Sequence, residues 1–109
     1  MAQFDVHRNI GRQRECIPFV VVVQSSLFDK YRRRVVVPLV SKNALGNELA
    51  MAGRRLNPVF SIEGMDVVLH PLEIVSVATD QLGAKVCSLA AQGIQITDAL
   101  DELLTRSWS

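Results

Sequence analysis

Residues able to do chemistry are few in this chain, and they are scattered. Arg32-Arg33-Arg34 is its one run of charge. Arginine presents a rigid, planar fork of donors that suits phosphate or carboxylate. The run therefore reads as a contact to phosphate or to an acidic peptide, or as a solvated connector with one arginine buried in an ion pair. Cys16 and Cys87 stand alone, without a CxxC spacing, and are expected to be reduced thiols. His7 and His70 have no ligand spacing around them. A zinc site needs three or four converging ligands, so neither a metal nor another cofactor is expected. A nucleophile needs a base oriented toward it, and nothing in the spacing supplies one. Gly46, Gly53 and Gly64 are too dispersed to form a phosphate loop. Asp98, Asp101 and Glu102 fall on one side of a predicted helix, where a solvated face is expected. The residues point to a protein that works by binding, not to an enzyme.

Three apolar residues stand out against that background. Leu27 and Phe28 lie in an otherwise polar connector, Ser25 to Arg32. Two large apolar side chains there either tuck into the core or face a partner. Trp108 is the only tryptophan and the penultimate residue. Chain ends fray unless tied down, and tryptophan is enriched among interface hot spots, so Trp108 is a candidate contact with another chain.

The elements that must position these residues belong to one domain, residues 1–109. About half the residues are apolar, which excludes a disordered chain. The longest apolar run, Ile17 to Val23, is far too short to span a bilayer. Met1-Ala2-Gln3-Phe4 does not begin a signal peptide, so a cytoplasmic protein is expected. The net charge of +1 hides an asymmetry: residues 1–56 carry ten Lys/Arg and four Asp/Glu. That split suggests one basic and one acidic surface, or basic loops that keep sheet edges soluble.

Alternation predicts a first strand over Gln3 to His7 and a loop over Arg8 to Glu15. Ile17 to Gln24 holds four consecutive valines and reads as a central strand buried on both faces. Pro18 should sit at its start. Arg33 to Val40 is the next strand, with Pro38 marking a bulge or an edge. Ala44 to Ala52 could hold a short helical turn. Val59 to Ile62 and Met65 to His70 flank Glu63-Gly64, which suits a tight hairpin. Leu72 to Val77 is predicted as the last strand. Ile96, Ala99, Leu100, Leu103 and Leu104 then follow a helical period, giving a helix from about Ser88 to Arg106. Gly93 is expected to cost that helix about 1 kcal/mol relative to Ala. Strands followed by one terminal helix make an α+β domain.

Several segments together resemble the CcdB family of bacterial toxins: Gln3-Phe4-Asp5-Val6, Phe19 to Ser25, Arg33 to Leu39, Leu56-Asn57-Pro58-Val59, and Ile96 to Leu104. The resemblance covers nearly the whole chain. It implies a mainly antiparallel, partly barrel-like sheet related to SH3-like barrels, with one C-terminal helix. It implies a homodimeric toxin of a type II toxin–antitoxin pair, a plasmid-maintenance device. Such a toxin binds the A subunit of DNA gyrase and traps the cleaved-DNA complex. It also implies neutralisation by the disordered tail of a cognate antitoxin, and repression of the operon through operator DNA bound by the toxin–antitoxin complex. Carried over, the gyrase contacts are Leu27, Phe28, Asp101 and Leu104, with Trp108 displaced by three residues from the family's aromatic. Arg32, Arg33 and Arg34 are the candidate antitoxin contacts. Arg106-Ser107 replace the family's Gly-Ile. The rival readings are a relative that binds only antitoxin and an RNA-cleaving toxin of the same fold.

Overall fold

The computed structural model describes residues 1–106; Trp108 therefore lies outside the described residues. Seven strands form one antiparallel sheet: β1 (Asp5–Asn9), β2 (Phe19–Val22), β3 (Arg33–Ser41), β4 (Val59–Ile62), β5 (Met65–Leu69), β6 (Val75–Ala78) and β7 (Leu82–Ser88). Their order is β4-β5-β3-β2-β1-β7, and β6 pairs with the other half of β3. The expected α+β class, an antiparallel curled half-barrel with one C-terminal helix, is what the chain adopts.

The valine run explains the centre. β2 lies between β1 and β3, and alternate residues go to opposite faces. Phe19 and Val21 enter the main core with Val37, Leu39, Phe60, Ile62, Val67 and Leu69. Val20 and Val22 meet Val36 on the other face, where Val77 and Leu82 pack. The sheet curls far enough for Arg8 on β1 to pair with Glu63 in the β4–β5 turn, at 2.7 Å. In a flat sheet β1 and β5 would be about 14 Å apart.

Glu63 and Gly64 both take positive φ (53° and 76°), the backbone of a tight hairpin turn. Pro38 departs from expectation, because it sits inside a central strand. Its position is the junction where β3 changes partner from β6 (through Val36) to β5 (from Leu39). The missing N–H costs no ladder bond there, and the Pro38 carbonyl still accepts from the His70 N–H at 3.1 Å.

α1 (Gly93–Asp101) covers the main core with Ile96 and Ala99, then widens into a π turn over Glu102–Arg106. The helix starts later than its periodicity suggested, because Ser88 ends β7. Gly93 is also no simple defect: a Cβ there would lie 2.6 Å from the Phe4 ring. Close packing requires the glycine.

Candidate functional site

Two regions present side chains outward. The first is the connector between β2 and β3. Ser25 caps a single turn, Ser26–Phe28, its hydroxyl accepting from the Leu27 N–H. That turn pushes Leu27 into solvent, 84 % exposed, with Phe28 and Tyr31 exposed beside it. The Phe28 and Tyr31 rings pack at a 37° tilt with centroids 5.8 Å apart. An exposed leucine forgoes the roughly 1.5–3 kcal/mol that burial would contribute.

Arg34 holds this display in place. Its side chain is 1 % exposed. It donates to the Gln24 and Ser25 carbonyls (3.2 and 3.3 Å), to the Met1 carbonyl (3.2 Å), to Gln24 Oε1 (3.3 Å) and to Asp29 Oδ1 (2.6 Å). Gln24 Oε1 also accepts from the Val35 N–H at 3.0 Å. A buried cation with so many acceptors fixes both ends of the connector. Arg34 is thus committed internally, whereas Arg32 and Arg33 are exposed. Sequence reasoning missed Asp29, Gln24 and Tyr31; the only signal was that Gln24-Ser25 precedes the basic run.

The second region is the end of the helix. Asp101 is half-buried and its carbonyl accepts from the Thr105 hydroxyl at 2.8 Å. Leu104 is 69 % exposed, while Leu103 is half-buried. Asp98 and Glu102 face Arg55, at 3.8 and 4.0 Å. The structure places Leu27 and Phe28 together, and Asp101 and Leu104 together. No hydrogen bond or ion pair joins the two groups among the described residues. What links their regions is the N-terminal segment: Met1 touches Arg34, and Phe4 packs on Gly93.

A third feature has no counterpart in the sequence reading. A cavity of about 530 Å³ is floored by Ile17, Val20, Val36 and Val75. Glu48, Glu73, His70 and Cys16 also line it. His70 Nε2 lies 3.5 Å from Glu48 Oε2, and the buried Nδ1 has no partner among the described residues. With two carboxylates and no Lys or Arg, this cavity suits an apolar or cationic group, not phosphate. Among the described residues no three His, Cys, Asp or Glu side chains converge on a possible metal position. No helix among them is long and apolar enough to cross a membrane.

A scan against protein families matches CcdB protein over residues 3–105. The chain belongs to the CcdB family. Members are toxins of toxin–antitoxin systems, and that broad assignment holds for this chain. Among curated proteins none matches the sequence significantly. Among solved structures, this CcdB-family chain is similar to an endoribonuclease in complex with its cognate antitoxin from a mycobacterial species. That match has TM-score 0.68 and 14 % identity over 95 % of this chain and 92 % of the other. A second mycobacterial endoribonuclease matches with TM-score 0.65 and 13 % identity, over 100 % and 95 % of the two chains. These neighbours overturn the expectation that the protein is not an enzyme. The same curled sheet is described there as an endoribonuclease, so the lack of a legible base and phosphate motif was no ground for exclusion.

Proposed function

We propose that this CcdB-family protein is a gyrase-directed toxin that binds the gyrase A subunit through two exposed apolar groups. Leu27 and Phe28 form one, and Asp101 and Leu104 form the other; the family resemblance adds Trp108 as a further candidate contact. The observation that carries the reading is the 84 % exposure of Leu27 on a connector fixed by the buried Arg34. Apolar side chains held rigidly in water suit docking, because little ordering entropy remains to be lost. No hydrogen bond or ion pair joins the two groups among the described residues of one chain, which fits a homodimer that brings the helix end of one copy beside its partner. A cognate antitoxin would neutralise the toxin, with Arg32 meeting an acidic tail, and the complex would repress the operon at its operator DNA.

RNA cleavage is the second reading, favoured by the description of both fold neighbours as endoribonucleases. Parallel assays separate the two: gyrase-dependent DNA breakage, and cleavage of single-stranded RNA, each with wild type and Trp108→Ala. The gyrase reading predicts breakage that Trp108→Ala weakens about 30-fold. RNA cleavage without DNA breakage would replace it with the second reading.

A further inference from the structure

The basic residues of the first half of the chain are not equally committed. Arg8 pairs with Glu63, Arg34 with Asp29, and Arg55 with Asp98 and Glu102. Arg14 and Arg33 meet no carboxylate among the described residues; Arg33 lines a cleft, and Arg14 bonds to Gly11, which lines the same cleft. This cleft, about 350 Å³, is lined by Asn9, Gly11, Arg33, Ser76, Val77 and Gln81, with Ala78 completing the floor.

Arg33 forms one wall. Its Nε donates to Ser76 Oγ at 3.0 Å and its Nη2 to the Ser76 carbonyl at 2.5 Å. Two bonds to a neighbouring strand hold the guanidinium at the cleft although the residue is exposed, and Nη1 is left uncommitted. Arg14 adjoins the cleft through Gly11, whose carbonyl accepts from its Nη1 at 3.3 Å. The loop that carries it is itself pinned. Asn9 Oδ1 accepts from the Gly11 N–H at 2.9 Å, and Asn9 Nδ2 donates to the Ile17 carbonyl at 2.8 Å. Arg12 and Arg32 stand next in sequence and are also exposed. Glu15, Asp29 and Asp80 are the acidic residues of these loops, and Asp29 is taken by Arg34, leaving a cationic excess. The Gln81 amide has no hydrogen-bond partner among the described residues, so a polar edge is available beside the arginines.

We propose that this cleft binds the phosphodiester backbone of a nucleic acid, with Arg33 in its wall and Arg14 on the adjoining Gly11 loop contacting phosphate oxygens. A guanidinium prefixed by two bonds loses little freedom on meeting a phosphate and offers paired donors to it. Phosphate recurs along a strand, so one strand can supply both arginines. An acidic peptide fits less well. A disordered acidic peptide loses ordering entropy on binding that charge alone must offset, and the apolar lining here is only Val77 and Ala78. The proposal goes beyond the gyrase reading and does not depend on it.

The test is fluorescence anisotropy of the full chain with a short labelled single-stranded RNA and, separately, a short duplex DNA, at about 50 and about 200 mM salt. Binding should weaken steeply with salt, with a log–log slope near about −1.4 for two contacts on a single strand. Arg33→Gln and Arg14→Gln should each lower affinity about fivefold or more and reduce the slope by roughly one contact. Arg33→Lys should fall between wild type and Arg33→Gln. Lys42→Gln, away from the cleft, should change affinity less than about twofold. Thermal melts confirm that each variant is folded. Tighter binding of RNA or of duplex DNA identifies which phosphodiester is the ligand, and either supports the proposal. It is overturned if neither probe binds at the lower salt, or if the folded double variant binds as wild type does. It is overturned equally if an oligoglutamate peptide binds more tightly than both nucleic acids and loses affinity with the same variants.

Discussion

The connector and the helix solve the same problem by different means. Both present apolar side chains to solvent, Leu27 and Phe28 on one, Ile94 and Leu104 on the other. The connector has no buried residue in its turn and is held by a buried cation with five hydrogen bonds. The helix is held by apolar packing: Ile96 and Ala99 are fully buried, and Phe4 fills the space that Gly93 leaves open. The lesson is that a short loop can be as fixed as a helix if one polar residue satisfies its backbone. The two regions should therefore respond to different perturbations.

The largest expected effect tests the polar anchor. Arg34→Met keeps much of the volume but leaves the Gln24, Ser25 and Met1 carbonyls without their donor. It should cost about 3 kcal/mol in a urea unfolding experiment. A loss under about 1 kcal/mol would mean that water replaces the arginine readily, and that the connector is not anchored as described.

A smaller effect tests the packed region. Gly93→Ala, at the first residue of α1, should gain less than the ~1 kcal/mol of a helix interior and force the Phe4 ring aside, at a cost of about 1–3 kcal/mol. The net expectation is a loss of about 1 kcal/mol. A clear rise in melting temperature would show that Phe4 moves freely.

The smallest effect concerns the two thiols. Burial pushes the Cys87 thiol above its ordinary pKa, Glu63 and Asp5 add to the rise, and Lys85 partly opposes it. Cys87 should therefore stay protonated at pH values where an ordinary thiol begins to ionise. Cys16 is exposed. Alkylation followed by mass spectrometry should modify Cys16 first, with the Cys87 rate continuing to rise at higher pH. Faster labelling of Cys87 at neutral pH would contradict its burial beside two carboxylates.

How much of this was legible in the sequence follows physical lines. Strands with β-branched runs were readable, since Val20 to Val23 can be buried on both faces only at the centre of a sheet. The Glu63-Gly64 hairpin was readable from turn chemistry. β7 was not, because Gly83, Ala84 and Lys85 are poor strand formers. Its pairing with β1 is also irregular, with register shifts on either side of His7. The Gly93–Phe4 contact joins residues far apart in the chain, and a propensity scale prices the glycine without its neighbour. Among the candidate site residues, the exposure of Leu27 and the burial of one arginine were open alternatives. Choosing Arg34 as the buried one required the register of β3 against β2. The cavity at His70 and the cleft at Arg33 are assembled from three or more segments, so no local pattern announces them.

The central claim is that the anchored connector presents Leu27 for gyrase. Its most direct test is a calorimetric titration of a gyrase A fragment with wild type and Leu27→Ala, beside thermal melts of both. Leu27→Ala should weaken binding about tenfold or more, equivalent to at least ~1.4 kcal/mol, and leave the melting temperature nearly unchanged because the side chain is 84 % exposed. Unchanged affinity, or no binding by wild type, would contradict the claim.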